Sequence, residues 1–209
     1  MRQGLKHNFG NALPEAGCDE AGRGCLAGPV FAAAVILPKK PLPELCRSLN
    51  DSKKLSLKER LRLRDIITEN AVSWGVSSVD NRQIDKTNIL KASILAMHRA
   101  LDHLKTKPGI ILVDGNRFTE YRDIPHHCII RGDATFLSVA AASVLAKTFR
   151  DEFMEALHIE FPVYGWDRNK GYPTPLHRRA ILEHGLSPYH RLSFRRHLQL
   201  SLEIEKKAK

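Results

Sequence analysis

The sequence predicts an α/β fold with a mixed sheet flanked by helices and a helical C-terminal part. Three observations carry this. Short apolar runs of strand length occur at residues 30–37 and 109–113. Strand-like and helix-like segments then alternate along the chain. The final stretch, from about residue 160, has helix signals without another apolar strand.

The elements follow in order. Val30 to Leu37 is a compact apolar run closed by Pro38, the pattern of a buried strand. With the stretch before Asp19 it predicts two paired strands, the Asp19–Gly24 segment lying at or near their junction. Pro38 to Pro43 reads as a loop and Asn50-Asp51-Ser52-Lys53-Lys54 as a polar segment. Ser56-Leu57-Lys58-Glu59 has the form of a capping box, which starts a helix expected to reach about Asn70. Val72, Trp74 and Val76 alternate and predict a third strand within 71–79. From Lys86 to Leu104, Ile89, Leu90, Ile94, Leu95, Met97 and Leu101 recur at helical spacing. Gly109 to Val113 reads as a fully buried strand ended by Asp114-Gly115. Cys128 to Ile130 reads as a short strand leading into Arg131-Gly132-Asp133. A long helix is expected from Ala134 to about Glu160, and its Ala140, Ala141, Ala142 and Ser143 would let it sit close to a sheet. Gly165 to Pro175 reads as a loop, with Thr174-Pro175 as cap and first-turn pair of the next helix. Arg191 to Lys209 is basic and helix-prone. No linker divides the chain, so residues 1–209 are expected to form one domain, with about 160–209 as its helical C-terminal part.

The charge balance points to an anionic partner. Lysine and arginine number 33 against 23 acidic residues, a formal charge of +10, and nucleic acid is the commonest partner of such an excess. The four cysteines, at 18, 25, 46 and 128, form no C-x-x-C pair, so neither a zinc framework nor a disulfide scaffold is indicated. No run approaches the roughly 20 apolar residues that span a bilayer, and Met1-Arg2-Gln3-Gly4-Leu5-Lys6 lacks the apolar stretch of a secretory signal. A cytoplasmic protein is expected.

Against this basic background stands Cys18-Asp19-Glu20-Ala21-Gly22-Arg23-Gly24. Adjacent carboxylates repel unless a cation lies between them, and the Gly-Arg-Gly that follows offers backbone and guanidinium to an anion. Asp114 ends the most apolar strand, and Asp133 lies between a strand and a helix. Four carboxylates converging at strand ends would be intolerable without cations, because like charges about 4 Å apart cost several kcal/mol outside bulk water. Hard oxygen ligands suit Mg²⁺ or Mn²⁺. Blander readings exist: Asp114-Gly115 fits turn chemistry, Asp133 fits a helix cap, and Gly-Arg-Gly alone fits a tight turn. Asp151 is a rival fourth ligand, but beside Arg150 in mid-helix an ordinary ion pair is expected.

Residue identities then converge. Asp19 to Gly24 with Ala27-Gly28-Pro29-Val30, Asn50 to Ser56, Val113-Asp114-Gly115, Gly132-Asp133, Ala140 to Lys147, and Gly171-Tyr172-Pro173-Thr174 with His177 occur in order. Together, over residues 17 to about 195, they resemble the ribonuclease HII family. The resemblance implies a ribonuclease H-like mixed sheet with a C-terminal helical extension. It implies an endonuclease that hydrolyses the RNA strand of RNA–DNA hybrids and cuts 5′ to single ribonucleotides in duplex DNA, as in ribonucleotide excision repair. Asp19, Glu20, Asp114 and Asp133 correspond to its catalytic metal ligands, for Mn²⁺ or Mg²⁺, with two ions when substrate is bound. Cleavage by metal-activated water would leave 3′-hydroxyl and 5′-phosphate ends.

The resemblance also assigns contacts. The backbone of Gly22, Arg23 and Gly24 would meet the ribonucleotide's 2′-hydroxyl, the group that separates RNA from DNA, and Arg23 would hold phosphate. Tyr172 would stack on the following deoxyribose. Lys53, Lys54, Lys147 and Ser143 would touch phosphates, which sets register rather than sequence preference; individually the lysines also read as solvated. His177 reads as a surface histidine. The expected partners are RNA–DNA hybrid and ribonucleotide-containing duplex, engaged by a monomer. Residues 194–209 show no well-formed clamp-binding motif, although a divergent contact with a replication clamp stays open. The competing readings are a four-carboxylate exonuclease and a non-catalytic basic duplex-binding protein.

Overall fold

The computed structural model describes residues 4–10, 14–50 and 56–194. Its sheet has five strands, β1 (Glu15–Ala21), β2 (Val30–Ile36), β3 (Ser73–Val79), β4 (Ile110–Asp114) and β5 (His126–Ile129), in the spatial order β3-β2-β1-β4-β5. β1, β2 and β3 form an antiparallel meander, whereas β4 and β5 run parallel to β1. The sheet is therefore mixed, and its parallel half needs helical crossovers.

The helices are α1 (Pro43–Asn50), α2 (Leu57–Asn70), α3 (Asn81–Thr87), α4 (Ile89–Asp102), α5 (Leu137–Glu160), α6 (Trp166–Asn169) and α7 (Pro175–His184). Side chains alternate across each strand, so β1 and β2 feed two cores. Cys18, Ala32 and Ala34 face α4 through Ala92, Ala96 and Met97. Ala33 and Val35 face α5 through Ala140, Ala141 and Leu145, with Leu45 of α1 and Leu63 and Ile67 of α2 closing that layer. The small-residue face of α5 does what its composition suggests. A Cβ at Gly17 of β1 would overlap the backbone at Ser138, so helix and strand touch main chain to main chain.

The capping box starts α2 as expected, with the Ser56 hydroxyl accepting from Glu59 N–H and the Glu59 carboxylate accepting from Ser56 N–H. Thr174 likewise caps α7. Three expectations change. The helix expected over 86–104 is two helices, because Asn88 adopts φ 150° and its side chain caps α4 by accepting from Lys91 N–H. The helix expected from Ala134 starts at Leu137, since Gly132–Ala134 winds as a tight 3₁₀ turn. The segment 165–175 is not wholly a loop, since α6 lies within it. α1 has no cue in the sequence beyond Pro43 at its start. The helix-prone residues 195–209, and Lys53 and Lys54, lie outside the described residues.

Candidate active site

The acids are assembled by the register of two parallel strands. Cys18 of β1 is level with Val113 of β4, so the next residues, Asp19 and Asp114, emerge side by side at one sheet end. Asp19 and Glu20 are among the last residues of β1 rather than beyond it, as the sequence pattern suggested. Asp114 accepts a hydrogen bond from Gly132 N–H at 2.6 Å, which draws the 3₁₀ turn carrying Asp133 onto the end of β4.

Electrostatics report the crowding. Burial, then the neighbouring charge of Glu20, pushes the Asp19 carboxyl well above its ordinary range, with a further push from Asp114; a Ser143 hydrogen bond opposes this. Burial also raises Glu20, with the hydrogen bond and charge of Arg23 opposing and Asp114 adding to the rise. Arg23 donates to Glu20 Oε1 at 2.8 Å, while Glu20 Oε2 is buried without a hydrogen-bond partner. Buried anionic oxygens rarely stay unpaired, because desolvation without compensation costs several kcal/mol. Among the described residues no three His, Cys, Asp or Glu side chains stand at ready-made ligand spacing. Glu20 is drawn to Arg23. The donor set itself fits a hard divalent ion: carboxylate oxygens only, one of them orphaned.

The other sequence-marked residues gather beside the acids. The Ser143 hydroxyl hydrogen-bonds Asp19. Lys147 pairs with Asp151 at 2.6 Å, and its ammonium lies 5.7 Å from the centroid of the Tyr172 ring. The ion pair of Asp151 is thus with Lys147, one helical turn away, and not with Arg150. Arg150 is fully buried and donates to the carbonyls of Ala27, Pro29 and Lys170. Tyr172 keeps an exposed ring face while hydrogen-bonding the buried Cys25 thiol. Leu26 N–H donates to Gly171 O at 2.8 Å, which stitches the Tyr172 loop to the Gly22–Gly24 loop.

His177 is not on the surface. It is fully buried between Trp166 and His190, because α7 packs its inner face on an aromatic cluster. Sequence reasoning also passed over Arg191, buried with all its bonds to backbone carbonyls. Its only signal was a cation in a region that reads as a basic tail.

Comparison with known proteins decides the family. The ribonuclease HII family pattern matches residues 16–197. The chain belongs to the ribonuclease HII family. Ribonuclease HII of Bacteroides fragilis is 62% identical over 182 residues, 87% of this chain and 89% of that protein. Among solved structures, the ribonuclease H2 of Pyrococcus horikoshii superposes with a TM-score of 0.74 at 26% identity, covering 85% of this chain and 92% of that one. A PCNA:RNase HII complex from Archaeoglobus fulgidus matches with a TM-score of 0.73 at 26% identity, covering 87% and 93%. As a ribonuclease HII, the chain is a metal-dependent nuclease of the ribonuclease H class that acts on RNA–DNA hybrids. No helix among the described residues is long and apolar enough to cross a membrane.

Proposed function

We propose that this enzyme, besides cutting RNA–DNA hybrids, incises duplex DNA on the 5′ side of a single embedded ribonucleotide, leaving 3′-hydroxyl and 5′-phosphate ends. Asp19, Glu20, Asp114 and Asp133 hold divalent metal, Mn²⁺ or Mg²⁺, as two ions when substrate is bound. The observation that carries this reading is the desolvated acid cluster with an orphaned Glu20 oxygen, directly beside a loop of small residues. When bound, the metal supplies an activated water and neutralises charge at the scissile phosphate.

The protein's own groups do the rest. Ser143 and the Glu20 N–H, which donates to Asp19 Oδ1 at 2.7 Å, orient Asp19. Glu20 would turn from Arg23 to hold the metal, leaving the half-exposed Arg23 guanidinium available for phosphate. Tyr172 offers its open face to the sugar after the ribonucleotide. Lys147, held by Asp151, stands beside it as a positioned cation, while Lys53 is assigned to phosphate from the sequence resemblance alone. No side chain acts as a covalent nucleophile; positioning and charge stabilisation carry the rate. The reading carries with it a monomeric, cytoplasmic enzyme of ribonucleotide excision.

Two glycines in the loop separate folding from recognition. A Cβ at Gly24 meets nothing within 4 Å, whereas one at Gly22, where φ is +94°, would overlap the buried Arg150 guanidinium. Gly24→Ala should therefore melt like the wild type yet raise KM for a ribonucleotide-bearing duplex, since its methyl projects where the strand must approach. Gly22→Ala should lower stability by about 2 kcal/mol or more through strain and overlap. Thermal melts and steady-state kinetics on both variants check this.

The central test uses a covalently closed DNA circle carrying one ribonucleotide, incubated with Mn²⁺, Mg²⁺ or chelator. Nicking on the 5′ side of the ribonucleotide with either metal is expected, and none in chelator. Nicking in chelator, or an intact circle with both metals, overturns the proposal.

A further inference from the structure

Arg191 is among the largest fully buried side chains, and the nearby Asp85 carboxylate, which accepts from the Leu192 and Ser193 N–H groups, favours its charge without supplying its hydrogen bonds. Burial lowers its pKa to about 10, which leaves it a cation at neutral pH. A buried cation whose hydrogen-bond partners are not carboxylates is costly unless its protons are matched by other acceptors. Here backbone carbonyls supply them. Arg191 Nε donates to Gly28 O at 3.0 Å, one terminal nitrogen to Arg23 O at 2.9 Å and the other to Gly22 O at 2.8 Å. Its own N–H is anchored on Leu26 O at 2.8 Å.

The consequence lies on the far side of those peptides. In a planar trans peptide the C=O of one residue and the N–H of the next point in opposite directions. Drawing the Gly22 and Arg23 carbonyls inward onto Arg191 therefore turns the N–H groups of Arg23 and Gly24 outward. Neither N–H meets an acceptor among the described residues, and both residues are exposed. Two aligned donors are thus presented together beside Glu20, at the mouth of the acid cluster. Free rotation of either peptide would dissolve the pair.

We infer that Arg191 is a positioning residue for ribonucleotide recognition: it fixes the peptide planes whose N–H groups meet the 2′-hydroxyl. This rests on the reading of the Gly22–Gly24 loop given above. A lysine could not substitute. Its ammonium donates from one point, whereas the guanidinium fork spans three carbonyls.

The experiment compares wild type, Arg191→Lys and Arg191→Ala, each below its own melting transition. It measures kcat and KM on a duplex with one ribonucleotide, and Ki for an all-DNA duplex of the same sequence. The DNA duplex reports phosphate contacts and overall integrity without the 2′-hydroxyl. Both variants should lose about tenfold or more in kcat/KM, the counterpart of losing two aligned donors, with Ki within about twofold of wild type. Millimolar methylguanidinium should restore part of kcat/KM to Arg191→Ala and leave Ki unchanged. If Arg191→Lys keeps wild-type kcat/KM, or if Ki rises in parallel with the loss, the assignment fails and Arg191 is only a staple. Loss of folding in both variants, without recovery on methylguanidinium, overturns the assignment in the same way. If the wild type itself does not distinguish the ribonucleotide duplex from DNA, the reading of the loop fails first.

Discussion

Asp19→Asn is expected to abolish cleavage while making the metal-free protein more resistant to heat at pH 8. The two effects share one cause. Asp19 is 6% exposed, and burial first, then Glu20 and Asp114, disfavour its charge. Its folded-state pKa stands well above the ordinary 3.8, so the native protein holds this proton more tightly than the unfolded chain does. Stability is then greatest at acid pH and declines as pH rises from the unfolded value through the folded one. Asparagine cannot ionise, yet its carbonyl can still accept from Glu20 N–H, so the variant escapes that decline. On the proposed assignment the lost charge also removes an anionic metal ligand, and a fall on the order of a thousandfold in kcat follows the scale of losing one preorganised electrostatic group. Scanning calorimetry in chelator at pH 5 and pH 8, with and without Mn²⁺, gives the check. The metal should raise the wild-type melting temperature more at pH 8 than at pH 5, and raise that of the variant little at either. Equal melting of the two proteins in chelator at pH 8, or wild-type cutting by the variant, would sink this account.

Sequence and structure agree best where local chemistry is decisive. The capping box at Ser56 to Glu59, the apolar runs of β2 and β4, and the small-residue face of α5 each act over one or two turns, and each is visible as pattern. The acids were legible for another reason. Asp19 and Asp114 each sit at the end of an apolar strand, and parallel pairing of β1 with β4 makes such ends neighbours. The helix break at Asn88 was not legible, because the apolar spacing continues through it and only a positive-φ residue with a capping side chain interrupts the helix.

What the pattern hides is the use of charge in the interior. Arg150 and Arg191 look like surface cations, and only tertiary packing reveals that they solvate backbone carbonyls of the Gly22–Pro29 segment. The pairing of Lys147 with Asp151 follows from helical spacing of four, but adjacency to Arg150 masked it. His177 is the same lesson in reverse, a polar residue on a short helix whose partners come from 166 and 190.

That histidine supports a second large effect, an acid lability centred on the C-terminal part. The network sets the tautomers. Ser187 N–H donates to His190 Nδ1 at 2.9 Å, so the proton of neutral His190 sits on Nε2, facing His177 Nε2 at 3.2 Å. His177 Nε2 also accepts from Trp166 Nε1–H at 3.1 Å, so its own proton sits on Nδ1 and reaches Tyr172 O at 2.9 Å. Every ring nitrogen already has a partner, and a proton added at His190 Nδ1 would face the Ser187 N–H, with only the Ser187 hydroxyl at 2.9 Å to accept it. Burial, then the neighbouring His177, lowers the His190 pKa to about 4, and burial lowers His177 as well. Both are neutral in the fold but take up protons in the unfolded chain below the ordinary 6.5. Stability is therefore full above that value and falls as pH drops towards about 4, by about 3 kcal/mol from His190 alone. Because the chain of bonds ends on the Tyr172 carbonyl, loosening it should release the Tyr172 loop and raise KM before the whole fold is lost. Urea unfolding followed by tryptophan fluorescence between pH 7 and pH 4 should show the decline. His190→Phe should lower stability at pH 7, yet flatten the dependence on pH. A slope as steep in that variant as in the wild type would place the acid-sensitive group elsewhere.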